Sequence, residues 1–417
     1  MKKKKKSQNS NRAYSFKKSF RLLKVAERNE AWATYRFKNF SQIEGKYPYY
    51  ATRAKGAYVW DVDGNQYIDY LLGYGSVILG HADKRVDRVV IDEIKRGNNV
   101  SPLWKPIQIQ LTNLLTSVIP KSEMAYLMRS GSDATSGAVR LARLFTKRDK
   151  VIRWGYHGWH DWATTVPGGI PRHIKKDILE FTYNDLESLK AIFEKYPKKV
   201  ACVIMMPFEL EKPKDGFLKK VRRICRRYGA LFILDEMRSG FRLSLGGAQE
   251  YFDVQADLAT FSKAIANGYP ISAIVGRADV LAGLKDTVLG ATYFGNTPEM
   301  AAAIATIKIL QTTNALSHIW ELGEYLRKET VDLISKFDIP AEFLGYPPFP
   351  FVKFTVDDGV LREKLKRTFY CEATRHGVFI HPNHHWYISA SHLRKDIERT
   401  IEIFRSAFES VAKVMKK

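Results

Sequence analysis

The sequence predicts an α/β protein with a large domain, built on a mostly parallel sheet covered by helices, and a smaller α/β domain drawn from both ends of the chain. Between about residues 76 and 300, short apolar runs alternate with helical patterns, as in 200–206, 217–228 and 230–235. Continuous apolar runs of that length mark strands buried on both faces, and such strands need helices above and below them. With 417 residues and 45% hydrophobic content, the chain can fill a sizeable core and divide into two domains.

Taken in order, residues 1–13 are dominated by Lys, Ser, Asn and Gln, cannot bury a core, and are expected to be disordered. Residues 14–75 join the small domain. They carry a basic helix expected over 16–32 and an alternating stretch, 57–70, that reads as a β-hairpin turning at Asp63-Gly64. The large domain spans 76–300. After it a long helix is expected over 299–311, and the C-terminal small domain, 301–417, mixes strands at 351–356, 378–381 and 386–390 with a last helix over 393–416. No internal repeat is present.

The net charge of +23 raises nucleic acid, anionic membrane or acidic metabolites as partners. Basic residues are spread along the whole chain, however, and no zinc, helix-turn-helix or RNA-recognition signature accompanies them, so nucleic-acid binding is not expected. Nor is a membrane partner, since no apolar stretch approaches the roughly 20 residues that cross a bilayer. Cys202, Cys225 and Cys371 lie far apart without metal-ligand spacing, which predicts no metal and a reducing, cytoplasmic home.

Chemistry concentrates in the large domain. The apolar run Ala230-Leu231-Phe232-Ile233-Leu234 ends in Asp235, and Lys263 follows in Ser262-Lys263-Ala264. An acid at the C-terminal end of a buried strand emerges where open α/β sheets bind ligands, and a lysine on a following turn can face the same pocket. An acid to hold a ring nitrogen and a lysine to form an imine are the two groups that pyridoxal phosphate chemistry requires. Ser130-Gly131-Ser132 lies between an apolar run and a helical pattern, the arrangement that presents free N–H groups to an anion. Gly155-Tyr156-His157-Gly158-Trp159 brackets aromatics with glycines, which suits a wall against a planar ring.

These segments together resemble the class III pyridoxal-phosphate aminotransferases of fold type I, the glutamate-1-semialdehyde aminomutase branch most of all. The likeness runs from about Gly56 to Arg399 and rests also on Asp61-Val62-Asp63-Gly64, Leu79-Gly80-His81, Asp235-Glu236-Met237-Arg238-Ser239-Gly240-Phe241-Arg242, Gly246-Gly247-Ala248-Gln249 and Ala291-Thr292-Tyr293-Phe294-Gly295-Asn296. It implies that Lys263 forms the imine and shuttles the proton, and that Asp235 partners the ring nitrogen. Gly131 and Ser132 would cradle the phosphate, Tyr156 would stack on the ring with His157 beside it, and Thr292 would reach the neighbouring subunit's phosphate in a homodimer with shared active sites. Tyr74, Trp104 and His385 match substrate-pocket positions.

Departures from the family bear on the substrate. Glu211 stands where the branch carries the partner of the cofactor's phenolic oxygen, and an acid there would repel unless protonated or turned away. The segment 39–45 lacks the arginine that binds a substrate carboxylate, and Pro382-Asn383-His384-His385-Trp386 replaces a Phe-Glu-Ala segment. Aromatic and neutral hydrogen-bonding groups suit an uncharged acceptor such as a keto-sugar, or else simply pack a domain interface. Three readings follow: an aminotransferase moving an amino group from a donor such as glutamate to a keto or aldehydo acceptor, a sugar or nucleotide-sugar among them; an intramolecular aminomutase; and a non-catalytic basic binding protein on the same fold.

Overall fold

The computed structural model describes residues 13–31, 47–166 and 168–416, and divides the chain into two compact units, 1–74 with 319–417 and 75–318. The expected tail and the segment 39–45 therefore lie outside the described residues, as does the end of the expected helix 16–32, whose described helical part is Lys17–Ala26.

In the terminal unit, β1 (Ala51–Lys55), β2 (Tyr58–Asp61) and β3 (Gln66–Asp69) form an antiparallel meander. The expected hairpin is β2–β3, with Tyr58 opposite Ile68 and Trp60 opposite Gln66. Asp61 fastens its turn by accepting the Asn65 N–H at 2.8 Å and the buried Tyr67 hydroxyl at 2.7 Å, while Gly64 takes φ +87°. Such a left-handed position favours glycine.

The central unit holds seven strands: β4 (Met124–Met128), β5 (Lys150–Trp154), β6 (Ile178–Glu180), β7 (Val200–Met205), β8 (Leu231–Asp235), β9 (Leu258–Phe261) and β10 (Ser272–Gly276). Their order across the sheet is β4-β10-β9-β8-β7-β5-β6, parallel except that β10 runs antiparallel to both of its neighbours. Every residue of β7 and β8 is buried, as continuous apolar runs require. The helix Gly131–Thr146 closes the core over them through Ala134, Ala138, Leu141 and Ala142 against Ile204, Ile233 and Ile274. Gly137 allows that approach, since a methyl carbon there would come within 2.9 Å of Ile274 Cδ1. Helix Pro298–Thr312 packs on helix Lys84–Ile94 and on the short turn Lys263–Ala266. Those contacts tie it to the central unit, so the observed border at 318 falls later than the expected one near 300.

Back in the terminal unit, β11 (Ala341–Leu344) pairs with β12 (Phe351–Phe354), β13 (Val378–Phe379) joins β3 in parallel, and helices Gly359–Arg375 and Arg394–Met415 pack together. The strand expected at 386–390 does not form. Trp386 N–H goes to Pro350 O and Tyr387 N–H to Tyr70 O, two unrelated acceptors that build no ladder. The apolar character there is spent on burying Trp386 among Phe369, Tyr370 and Phe404.

Ile233 is fully buried in the middle of β8. Ile233→Ala should cost about 2–5 kcal/mol through lost transfer energy and a cavity, read as a lower urea midpoint. A loss well under about 1 kcal/mol would show that this strand is not a rigid part of the core.

Candidate active site

Five strand ends and the loops after them converge on one cavity of the central unit, of about 210 Å³, lined by residues that include Gly131, Ser132, Tyr156, His157, Asp235 and Lys263. Each of these side chains or glycines follows the C-terminal end of its own strand: β4, β5, β8 and β9, with Met206 following β7. Parallel strands make this convergence automatic, because they all end at the same edge.

Asp235 is the last residue of β8 and is 1% exposed. Its Oδ1 accepts the Met237 N–H at 3.0 Å, and its Oδ2 lies 2.7 Å from His157 Nδ1. The other ring nitrogen of His157, Nε2, is 3.1 Å from the Trp154 carbonyl, which can only accept, so Nε2 carries a hydrogen. The Nδ1–Asp235 contact joins two buried groups across 2.7 Å. A carboxylate so placed keeps lone pairs for a cationic N–H in the cavity without being stranded in an apolar interior.

Lys263 opens a short 3₁₀ turn with φ +49°, a left-handed conformation that is costly for a side-chain-bearing residue and is held here by the packing around it. Burial lowers its ammonium from the ordinary 10.5 to about 8, helped by the guanidiniums of Arg238 and Arg242 and opposed by Asp235. Arg238 also lines the cavity and reaches Glu209 at 3.8 Å. A neutral amine near pH 8 is both a nucleophile and a base.

Opposite these groups, Ser130 caps the helix Gly131–Thr146 with a reciprocal capping box involving Asp133. The Asp133 N–H is taken by that cap and the Ala134 N–H by the Ser130 carbonyl. Among the described residues, the N–H groups of Gly131 and Ser132 find no acceptor, and both residues line the cavity. Backbone from the next loop closes against them: a methyl carbon on Gly158 would stand 2.3 Å from Ser132 Oγ. Free N–H groups at a helix N-terminus, a buried carboxylate and a depressed lysine fit pyridoxal phosphate at its phosphate, ring nitrogen and carbonyl.

His157 lies behind Asp235 as its hydrogen-bond partner, whereas Tyr156 is 60% exposed at the cavity. Glu211 is turned away, accepting the Asn184 side-chain N–H at 2.8 Å, and Met206 occupies the wall. Thr292 is exposed on a 3₁₀ turn, Thr292–Gly295, outside this lining, and Trp104 packs its ring over Gly295 in the same turn. Tyr74 and His385 belong to the terminal unit. There Tyr74, at φ +58°, meets the His384 ring edge-on at 4.8 Å, and His385 is buried 6.1 Å from the Phe351 ring.

Sequence reading overlooked the work of Glu236 and the Gly246-Gly247-Ala248-Gln249 segment. Glu236 accepts the N–H groups of Ala248 and Gln249 at 2.8 and 2.9 Å as well as the Ser239 hydroxyl, and burial pushes it up to about 7. Gly247 lies so close that a methyl carbon on it would come within 2.6 Å of Glu236 Oε2. The signal was the acid directly after Asp235 together with a paired glycine downstream. Among the described residues no cluster of metal-ligating side chains occurs, and no helix is long and apolar enough to cross a membrane.

Comparison with known proteins identifies the family. The family model for class III aminotransferases matches residues 40–390. The chain is 42% identical over 383 residues to the 3-aminobutyryl-CoA aminotransferase of Cloacimonas acidaminovorans (strain Evry), covering 90% of this chain and 92% of that protein. It is 34% identical over 397 residues to the glutamate-1-semialdehyde 2,1-aminomutase of Methanosphaera stadtmanae, covering 88% and 93%. Among solved structures, the pyridoxal phosphate internal aldimine form of the Sphingopyxis sp. MTA144 FumI protein superposes with a TM-score of 0.91 at 27% identity, covering 96% of this chain and 98% of that one. The chain is therefore a pyridoxal-phosphate-dependent enzyme of fold type I and belongs to the class III aminotransferases.

Proposed function

We propose that this enzyme transfers an amino group between a 3-amino acyl thioester of coenzyme A and a keto acid such as the one that yields glutamate. The observation that carries the aminotransfer is the placement of Lys263 and Asp235 in one cavity with the free N–H groups of Gly131 and Ser132. Support for the thioester comes from the 42% identical relative, named for 3-aminobutyryl-CoA. A thioester and the expected sugar carbonyl share one property, the lack of a free carboxylate at the reacting end. The relative favours the thioester over the sugar. The net charge of +23 also suits a substrate whose nucleotide head carries several negative charges, by long-range attraction rather than contact.

When bound, pyridoxal phosphate supplies a carbonyl that captures amines and a ring that draws electrons from the amine-bearing carbon. Gly131 and Ser132 would hold its phosphate, and Asp235, fixed from behind by His157, would accept from its ring nitrogen. Lys263 Nζ would hold the group and, as a free amine, would move a proton at the substrate carbon. Tyr156 would cover the ring face. Thr292, on its exposed turn beside Trp104, serves the phosphate of a second copy, so the working unit is a homodimer.

The runner-up is an intramolecular aminomutase, supported by the relatives of that name at about one-third identity. The two differ in what must be added. With 3-aminobutyryl-CoA and 2-oxoglutarate, glutamate and acetoacetyl-CoA should form, and free 3-aminobutyrate should be worse by about ten-fold or more in kcat/KM because remote binding energy is lost. Isomerisation of glutamate-1-semialdehyde without any external donor, at a higher kcat/KM than this transfer, would overturn the proposal in favour of the mutase.

Lys263→Ala should lower turnover by at least about three orders of magnitude while far-ultraviolet circular dichroism stays unchanged. Turnover near that of the parent would remove Lys263 from the mechanism.

The free amine of Lys263 is protonated below about 8 and neutral above it. Capture of pyridoxal phosphate by cofactor-free protein, followed as growth of visible absorbance, should therefore speed up as pH rises through about 8 and then level off. Arg238 is a cation that lowers this value. Arg238→Gln should move the midpoint to higher pH, and an unmoved midpoint would show that the guanidinium does not act on the amine.

A further inference from the structure

The central unit has a second cleft, of about 380 Å³, which shares no lining residue with the cofactor cavity. Its walls come from Pro120 and Lys121 ahead of β4, from Val254 and Gln255 ahead of β9, and from helix Phe217–Tyr228, which leads into β8. It therefore flanks the N-terminal edge of the sheet, about one strand length, roughly 15 Å, from the edge that carries Asp235 and Lys263.

Five cationic side chains face a single carboxylate in this cleft. That carboxylate, Asp253, is taken by Lys219 at 2.7 Å and feels Lys121 as a further cation. Arg222 gives one N–H to Gln255 Oε1 at 3.0 Å. The exposed side chains of Arg223 and Arg226 have no hydrogen-bond or ion-pair partner among the described residues. Helix spacing puts Lys219, Arg222, Arg223 and Arg226 on one face, where like charges repel, while Phe217, Val221 and Ile224 bury the other. No acid stands in the first turn to relieve them.

An independent observation points the same way. Gln249 lines the cleft and is 4% exposed. Its Oε1 accepts the Ala256 N–H at 2.8 Å, and its NH₂ group has no acceptor among the described residues. The amide donor of a buried side chain and the exposed, unpartnered guanidiniums face one open cleft, a set of donors that an acceptor-rich ligand would match.

We propose that this cleft binds a small anion bearing a phosphoanhydride, either a free diphosphate or the phosphate chain of a nucleotide. Guanidinium forks match phosphate oxygens two at a time, and three of them along one helix face present more donors than a single phosphate can take up. The volume falls in the range of small-molecule sites. Because the cleft lies at the far edge of the sheet, its ligand takes no part in amine transfer and is a second binding function of the protein.

The test is titration calorimetry on the cofactor-loaded enzyme with inorganic pyrophosphate, ATP and adenosine as separate probes. One pyrophosphate or ATP should bind per chain, and adenosine should not bind. Arg223→Gln/Arg226→Gln should weaken both anions at least ten-fold and leave aminotransfer kinetics without ligand unchanged. Equal affinities for pyrophosphate and ATP would assign the site to the diphosphate itself, and tighter ATP binding would assign it to a nucleotide. Lys175→Gln/Lys176→Gln removes the same charge from an exposed turn outside the cleft. If that control weakens binding as much, if the arginine double variant binds undiminished, or if neither anion binds, the proposal fails.

Discussion

The active site is organised around one carboxylate that must remain buried without being left alone. Asp235 sits at the end of a strand whose other residues are apolar and fully covered, so its two oxygens have little water to turn to. They are answered by the Met237 N–H on one side and His157 on the other. Each answer constrains more of the chain. The Met237 bond bends the backbone sharply after β8. The His157 bond fixes the loop after β5, and the His157 carbonyl is in turn held by the Thr135 hydroxyl at 2.6 Å, in the helix whose first N–H groups face the cavity. Two strands, one loop and one helix are thus registered by a single acid.

Lys263 completes that arrangement by electrostatics more than by contact. It is half-buried on a strained turn near two cations, Arg238 and Arg242, with Asp235 pulling the other way. The packing of helix Pro298–Thr312 against the turn Lys263–Ala266 supplies the rigidity that a left-handed lysine needs.

How much of this the sequence disclosed depends on distance along the chain. Asp235, Lys263, Gly131 and Ser132 stood out because each sits at a local boundary, where an apolar run ends or a small-residue turn meets a helix, and boundaries are written in consecutive residues. The alternating pattern of sheet and helix was legible for the same reason. The pairing of His157 with Asp235 joins residues 78 apart, and periodicity carries no information about it. The segment 386–390 misled because buried irregular backbone and a buried strand have the same composition; only hydrogen-bond partners separate them. Glu211 is an acid where the resemblance implies a partner for the phenolic oxygen, and its carboxylate accepts the Asn184 side-chain N–H instead of lining the cavity.

Glu236 shows how adjacent residues can divide labour that looks identical in sequence. It follows Asp235 directly, is equally buried, and yet faces away from the cofactor cavity to receive the Ala248 and Gln249 N–H groups. Successive side chains leaving a strand point to opposite sides, so one acid lines the cavity and the next holds backbone. The architectural one reaches further. Gln249, held through its backbone by Glu236, presents its side chain to the basic cleft at the other edge of the sheet. A single acidic pair at the end of β8 therefore orders backbone on the way to both cavities, through different atoms. The two cavities have opposite electrostatic designs to match. At one edge, burial and two guanidiniums outweigh a single carboxylate and lower the ammonium of Lys263. At the other, like charges are left unbalanced on a helix face, a state that a bound anion would stabilise.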